Sequence, residues 1–157
     1  MRMRMKVRIA GALGAAVVVG AAVPAVAAVP EADLAYHGYV TMGGGHVDVR
    51  MVPQNHGPSA VTDATVRLRW SLPLADVQRL PRGCTRYDTS TVLCGTGPLA
   101  AGGVGREIRL RVGLAGSSTE EVTLEIDTLW GSGSVDRNPG NDREQVLALD
   151  TGDQYYF

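Results

Sequence analysis

The sequence predicts an all-β domain of antiparallel strands, a sandwich or a barrel, and three observations carry that prediction. Apolar and polar residues alternate along four separate stretches. Clusters of Gly, Pro, Asn and Ser fall between those stretches. Beyond the first residues, no segment shows a convincing 3.6-residue period, and "LADVQRL" has room for one helical turn at most.

In chain order, the first element is an export signal. Arg2, Arg4, Lys6 and Arg8 form a basic start, "IAGALGAAVVVGAAV" is an uncharged apolar run, and Pro24 precedes "AVAA" with its small-x-small pattern. Together these predict a secretory signal peptide over residues 1–28, cleaved after Ala27 or Ala28. The competing reading is an uncleaved anchor, since the run approaches the ~20 residues of a membrane span. Pro24 and the cleavage site argue against it, and no Cys stands at that point to accept a lipid. Residues 29–157 then form one domain, long enough to bury a core of its own.

The strands follow. In "HVDVRMV", Val47, Val49 and Met51 alternate with Asp48 and Arg50. In "ATVRLRW", Ala64, Val66, Leu68 and Trp70 alternate with Thr65, Arg67 and Arg69, which makes Trp70 a core residue. "EIRLRVGL" sets Ile108, Leu110, Val112 and Leu114 against Glu107, Arg109 and Arg111. "EVTLEIDTLW" sets Val122, Leu124 and Ile126 against Glu121, Thr123, Glu125 and Asp127. One buried and one wet face per strand means antiparallel sheets, because parallel strands covered on both sides read as continuous apolar runs. As hairpin neighbours, the last two strands would face arginines against carboxylates.

Turn chemistry joins them: "MGGG", "NHGPS", "GTGP", "AAGGVG", "LAGSS", "GSGS" and "RNPGND". Gly supplies positive φ, Pro fixes φ, and Asn or Ser bonds its own backbone. Pro58 suits a turn start, and Pro53 predicts that the preceding strand ends at an edge or a bulge. Cys84 and Cys94 are the only cysteines, and in an exported chain a disulfide is expected between them. Their spacing does not fit a CxxC redox motif, and two thiols alone make a poor zinc site.

Signal cleavage removes four of the 15 basic residues, leaving 11 arginines against 16 carboxylates and a net charge of about −5. No basic stripe remains to track phosphates, so nucleic acid is not an expected partner, nor is a membrane once the signal is gone.

The order "ADLAYHGYV", "VDVRMVPQNHGPSAVTDATVRLRWSLP", "GCTRYDTSTVLCGTGPLAAGG" and "DRNPGND" resembles the immunoglobulin-like conserved-repeat domain (domain of unknown function eleven) of bacterial and archaeal surface proteins. The shared positions are Ala32, Asp33 and Leu34; Asn55, Gly57, Pro58 and Ser59; Leu72 and Pro73; Cys94, Gly97, Leu99, Ala101 and Gly102; and Asp136, Asn138, Pro139 and Asn141. The resemblance covers almost the whole mature chain. It implies an immunoglobulin-like Greek-key β-sandwich of about seven antiparallel strands, used as a spacer or interaction module and without catalytic residues. Two departures stand out. The family commonly occurs in tandem copies, and its usual second Asn after Asn141 is here Asp142.

Few residues offer chemistry. Asp136, Asn138, Asp142 and Glu144 offer hard oxygens of the kind Ca²⁺ takes. Gly140, however, stands where an EF-hand needs Asp or Asn, and an Asx-rich loop bonding its own backbone explains the same letters. His46 and Asp48 share a face with His56 in the next turn, while His37 lies apart. No GxSxG elbow, phosphate loop or convergent nucleophile and base appears, so no cofactor and no enzymatic activity are expected. Trp130, Tyr155, Tyr156 and Phe157 remain as a possible interaction surface, and they are the only candidates for an aromatic platform that would stack on a glycan. The expected function is a secreted or cell-surface module with a structural or protein-interaction role, its partner a protein or envelope component. The alternative is a small binding module for wall glycan or Ca²⁺.

Overall fold

The computed structural model describes residues 28–116 and 120–157. Nearly all of the signal-peptide reading, and part of the "LAGSS" turn, lie outside the described residues. The described chain is all-β, with strands β1 (Glu31–Ala32), β2 (Leu34–Gly43), β3 (His46–Asn55), β4 (Thr65–Trp70), β5 (Cys84–Arg86) and β6 (Thr91–Gly95), then β7 (Gly103–Val104), β8 (Ile108–Gly113), β9 (Glu121–Trp130), β10 (Val135–Asp136), β11 (Glu144–Leu149) and β12 (Tyr155–Tyr156). Seven of these, β2, β3, β4, β6, β8, β9 and β11, have five residues or more. They are the sandwich; the others extend it.

The first sheet runs β11-β9-β4-β6-β5, and the second runs β12-β2-β3, with β7 and β8 both pairing the far side of β3. Consecutive strands therefore change sheets: β3 leads across to β4, β8 returns beside β3, and β9 crosses back beside β4. That is the Greek-key arrangement of an immunoglobulin-like sandwich. It also corrects the hairpin reading, because β8 and β9 lie in different sheets. Arg67 instead pairs with Asp127 and Arg69 with Glu125 across β4 and β9, while Arg111 lies 3.4 Å from Asp48 and Arg109 pairs with Glu107. These are exposed or half-exposed pairs, each stabilising by ~0–1 kcal/mol.

Alternation is realised as packing. Val47, Val49, Met51, Leu110 and Val112 of the second sheet meet Val66, Leu68, Trp70, Leu124 and Ile126 of the first in one buried core. A second small cluster, Ala32, Leu34, Val61, Ala64 and Leu99, closes one end. β2 and β3 are joined by Gly44 and Gly45, whose φ values of 59° and 74° fit a two-residue turn matched to strand twist.

Pro53 does not end its strand. β3 continues to Asn55, and the interruption falls on its neighbour: β8 pairs residues 46–51 and β7 pairs 54–55. The Pro53 carbonyl accepts from Gly105 N at 2.8 Å, so its missing N–H also points into the gap between β7 and β8, where no ladder donor is needed.

Cys84 and Cys94 form the expected disulfide, on directly opposed residues of β5 and β6 with Cα atoms 4.1 Å apart. It clips a three-residue edge strand that is also held by Arg86, whose guanidinium donates to the carbonyls of Leu74, Ala75, Asp76, Asp88 and Thr89.

Candidate functional site

Asp33, Asn55, Gly57, Ser59, Asp136 and Asn141, far apart in sequence, converge at one end of the sandwich, while Leu72 and Pro73 lie at the other. Asn55 is fully buried at the end of β3. Its Oδ1 accepts from Gly57 N at 3.0 Å and Asp33 N at 3.3 Å, and its Nδ2 donates to Ser59 O at 2.8 Å and Ala100 O at 3.2 Å. All of the amide's principal sites are thus occupied by main chain. Ser59 Oγ accepts from Glu31 N at 3.1 Å, and His56 N donates to Asp33 O at 2.7 Å. Gly57 sits so close to Ala32 that a Cβ would lie 2.6 Å from its Cα, which is why the turn needs glycine there.

The acidic loop joins the same assembly. β1 and β10 pair in parallel, bringing Asp136 under the start of β2. Asp136 Oδ2 accepts from Leu34 N at 2.9 Å and its Oδ1 from Asn138 N at 2.8 Å, an Asx turn with a long-range anchor. Asn141 Nδ2 donates to Asp33 Oδ1 at 2.8 Å. Three segments, 31–34, 55–59 and 136–141, are thereby held to one another by side chains bonding backbone. The arrangement is a latch.

The four residues considered for Ca²⁺ do not point at a common centre. Asp136 and Asn138 are bonded to each other, Glu144 opens β11, and Asp142 turns inward until only 6 % of it is exposed. Among the described residues, no three His, Cys, Asp or Glu side chains gather as a metal ion would require. The histidines are likewise separate: His46 Nδ1 donates to Gly44 O at 3.0 Å, and His56 Nε2 meets Gln54 Oε1 at 2.9 Å.

Asp142 belongs to a buried polar group that the sequence did not reveal. Tyr36 OH and Thr128 Oγ1 share a hydrogen bond of 2.5 Å beneath the latch. Burial pushes the Tyr36 phenol well above the usual tyrosine range. Burial also pushes the Asp142 carboxyl up, with Thr128 opposing the rise by hydrogen bonding and Asp136 adding to it by like charge. Asp142 Oδ1 is buried without a hydrogen-bond partner, its nearest cation being Arg143 at 4.0 Å.

The aromatic candidates do not form one platform. Trp130 pairs with Thr65 at the end of β9 and is 54 % exposed. A register shift between Thr65 and Val66 makes Leu129 an extra residue, and this bulge returns Trp130 to the outer face of the first sheet. Tyr155 and Tyr156 instead add β12 to β2 in the second sheet, and Phe157 exchanges backbone hydrogen bonds with Gly38 at 3.0 and 3.1 Å. Tyr155 and Phe157 pack against the core, leaving Tyr156 exposed with its ring 5.6 Å from Tyr39. Arg50 lies over the other side of that row, 5.9 Å from the Tyr39 ring.

Comparison with family models and with curated proteins finds no match for the chain. No helix among the described residues is long and apolar enough to cross a membrane.

Proposed function

We propose that the protein is an exported immunoglobulin-like module, kin to the conserved-repeat domains of surface proteins, with a structural or protein-interaction role outside the cytosol. One observation supports this reading above the others. Among the polar residues at the family-like positions, Asn55, Ser59 and Asp136 bond main chain, Asn55 alone joining four main-chain groups, and Asn141 bonds Asp33. Side chains used in that way hold a scaffold together. The disulfide fits an oxidising compartment, and the N-terminal sequence fits an export signal. The calcium reading has less support, since both oxygens of Asp136 already accept backbone N–H groups. The glycan reading has less support because Trp130 and Tyr156 stand on different sheets.

Fractionation of producing cells, with intact mass and in-cell crosslinking, tests the proposal. It expects a chain starting near residue 28 or 29, found in the envelope or the medium. A full-length chain retained in the cytosol would refute it.

A further inference from the structure

The second sheet is left open along β8. That strand pairs only with β3, through the backbone of Ile108, Leu110 and Val112, while Gly113 points the other way. At Gly113 the outer side is closed by the 73–78 segment: Ala75 N donates to Gly113 O at 2.8 Å, and Leu74 bridges Leu114. Gln78 Oε1 accepts from Gly113 N at 3.0 Å, and Gln78 Nε2 donates to Gly113 O at 2.9 Å, so the open stretch lies before Gly113. Backbone groups alternate in direction along a strand, so Arg109 and Arg111 also present their N–H and C=O outward. No described residue bonds them.

Two clefts flank this stretch. One, of about 510 Å³, is lined by Pro81, Arg82, Val104, Arg106, Ile108 and Arg109 among others. The other, of about 550 Å³, includes Arg79 and Arg111. Five arginines therefore border the open edge, and Arg50 stands directly across β3 from Arg109. Glu107 pairs with Arg109, and Asp48 lies beside Arg111. No carboxylate lies within 4 Å of Arg79, Arg82, Arg106 or Arg50 among the described residues. Positive charge is thus concentrated along one edge of a chain whose mature balance is 11 arginines against 16 carboxylates.

We propose that the open edge of β8 receives an extended acidic segment of a partner protein, added as a further strand to the second sheet. The proposal rests on the interaction-module reading above and names its partner's chemistry. A polypeptide is the occupant because only its backbone supplies N–H and C=O groups at ladder spacing. The segment is acidic on alternate residues, because those would stand opposite Arg109 and Arg111 on the sheet's outer face. A second copy of this chain is disfavoured, since β8 against β8 would set arginine against arginine; edge charges of this kind prevent self-pairing.

Fluorescence anisotropy of labelled short peptides on the purified chain tests the site. Saturable binding is expected for a peptide alternating Glu with Val, and none for one alternating Lys with Val. The Arg109→Ala/Arg111→Ala variant should bind roughly tenfold more weakly, as two cross-strand ion pairs are lost. Arg109→Pro, which deletes an outward N–H while leaving the β3 ladder intact, should abolish binding, and Arg143→Ala on the far side should not change it. Should Arg109→Pro fail to fold, the acidic peptide with its ladder-facing amides N-methylated makes the same test on the wild-type chain. No saturable binding of the acidic peptide, or equal binding of its N-methylated form, would overturn the proposal. Those results bear on the edge alone; the module reading fails only in the fractionation.

Discussion

Replacing Asn55 with alanine removes a side chain that bonds four main-chain groups from three segments while itself fully buried. A typical intramolecular hydrogen bond contributes about 1 kcal/mol net, and a donor or acceptor left buried without a partner costs more. Four such bonds give a loss of roughly 4 kcal/mol. For a domain of this size each kcal/mol moves the melting point by ~3–5 °C, so Asn55→Ala should lower Tm by about 12–20 °C. The neighbouring exposed His56 serves as control, because its ring bonds only Gln54; His56→Ala should stay within ~0.5 kcal/mol of wild type. Differential scanning calorimetry of both variants is the assay. An Asn55→Ala melting point within about 3 °C of wild type, a shift worth no more than one exposed bond, would refute the latch as a stabilising unit.

Other consequences follow from particular contacts. Reducing the Cys84–Cys94 bridge opens a short loop and should cost about 2.8 kcal/mol by loop-closure entropy, read as a lower Tm with the sandwich still folded and faster amide exchange confined to residues 84–95. Gly57→Ala forces a Cβ onto the Ala32 backbone and should yield a chain that is insoluble or lacks a cooperative melt. The Asp142 carboxyl is raised by burial, so its folded form favours the proton; that contribution is complete below the ordinary carboxylate value of ~4 and is lost as pH climbs through the raised one. Asp142→Asn should therefore melt higher than wild type at neutral pH, with the difference shrinking as pH falls toward ~4. Millimolar calcium should shift Tm by less than about 1 °C, since among the described residues no three acidic side chains gather and both oxygens of Asp136 hold backbone N–H groups, and a larger rise would restore the calcium reading.

How much of this was legible depended on which faces are wet. β3, β4, β8 and β9 were readable because each buries one face and solvates the other, so alternation marks them. β2 was not readable as a period: Leu34, Ala35 and Tyr36 are buried consecutively, Leu34 in the end cluster, Tyr36 in the main core, and Ala35 on the opposite face. β5 carries no pattern at three residues and is held by its disulfide and by Arg86, and β12 exists because the terminus docks on Gly38. The charges of β8 and β9 were correctly placed outside, and the hairpin that would have paired them does not form. Adjacent strands form hairpins by default, and the Greek-key crossover that separates these two is a property of the whole sheet order. The latch was visible as an ordered set of Asp, Asn and Gly positions, yet its contacts span separations of up to 108 residues that no local pattern encodes. The bulge that displays Trp130, and the buried Tyr36, Thr128 and Asp142 group, left no trace in periodicity at all.

Native-state hydrogen exchange followed by NMR addresses the central claim, that the conspicuous polar residues hold three distant segments of a β-sandwich together. The amides of Asp33, Leu34, Gly57 and Asn138 each donate to a latch side chain, although Asp33, Gly57 and Asn138 lie outside any strand. They should exchange slowly and as a group, and Asn55→Ala should release them together while Val49 and Leu110 stay protected. Exchange of these four at unprotected rates in the wild-type chain, with the sandwich amides still slow, would contradict it.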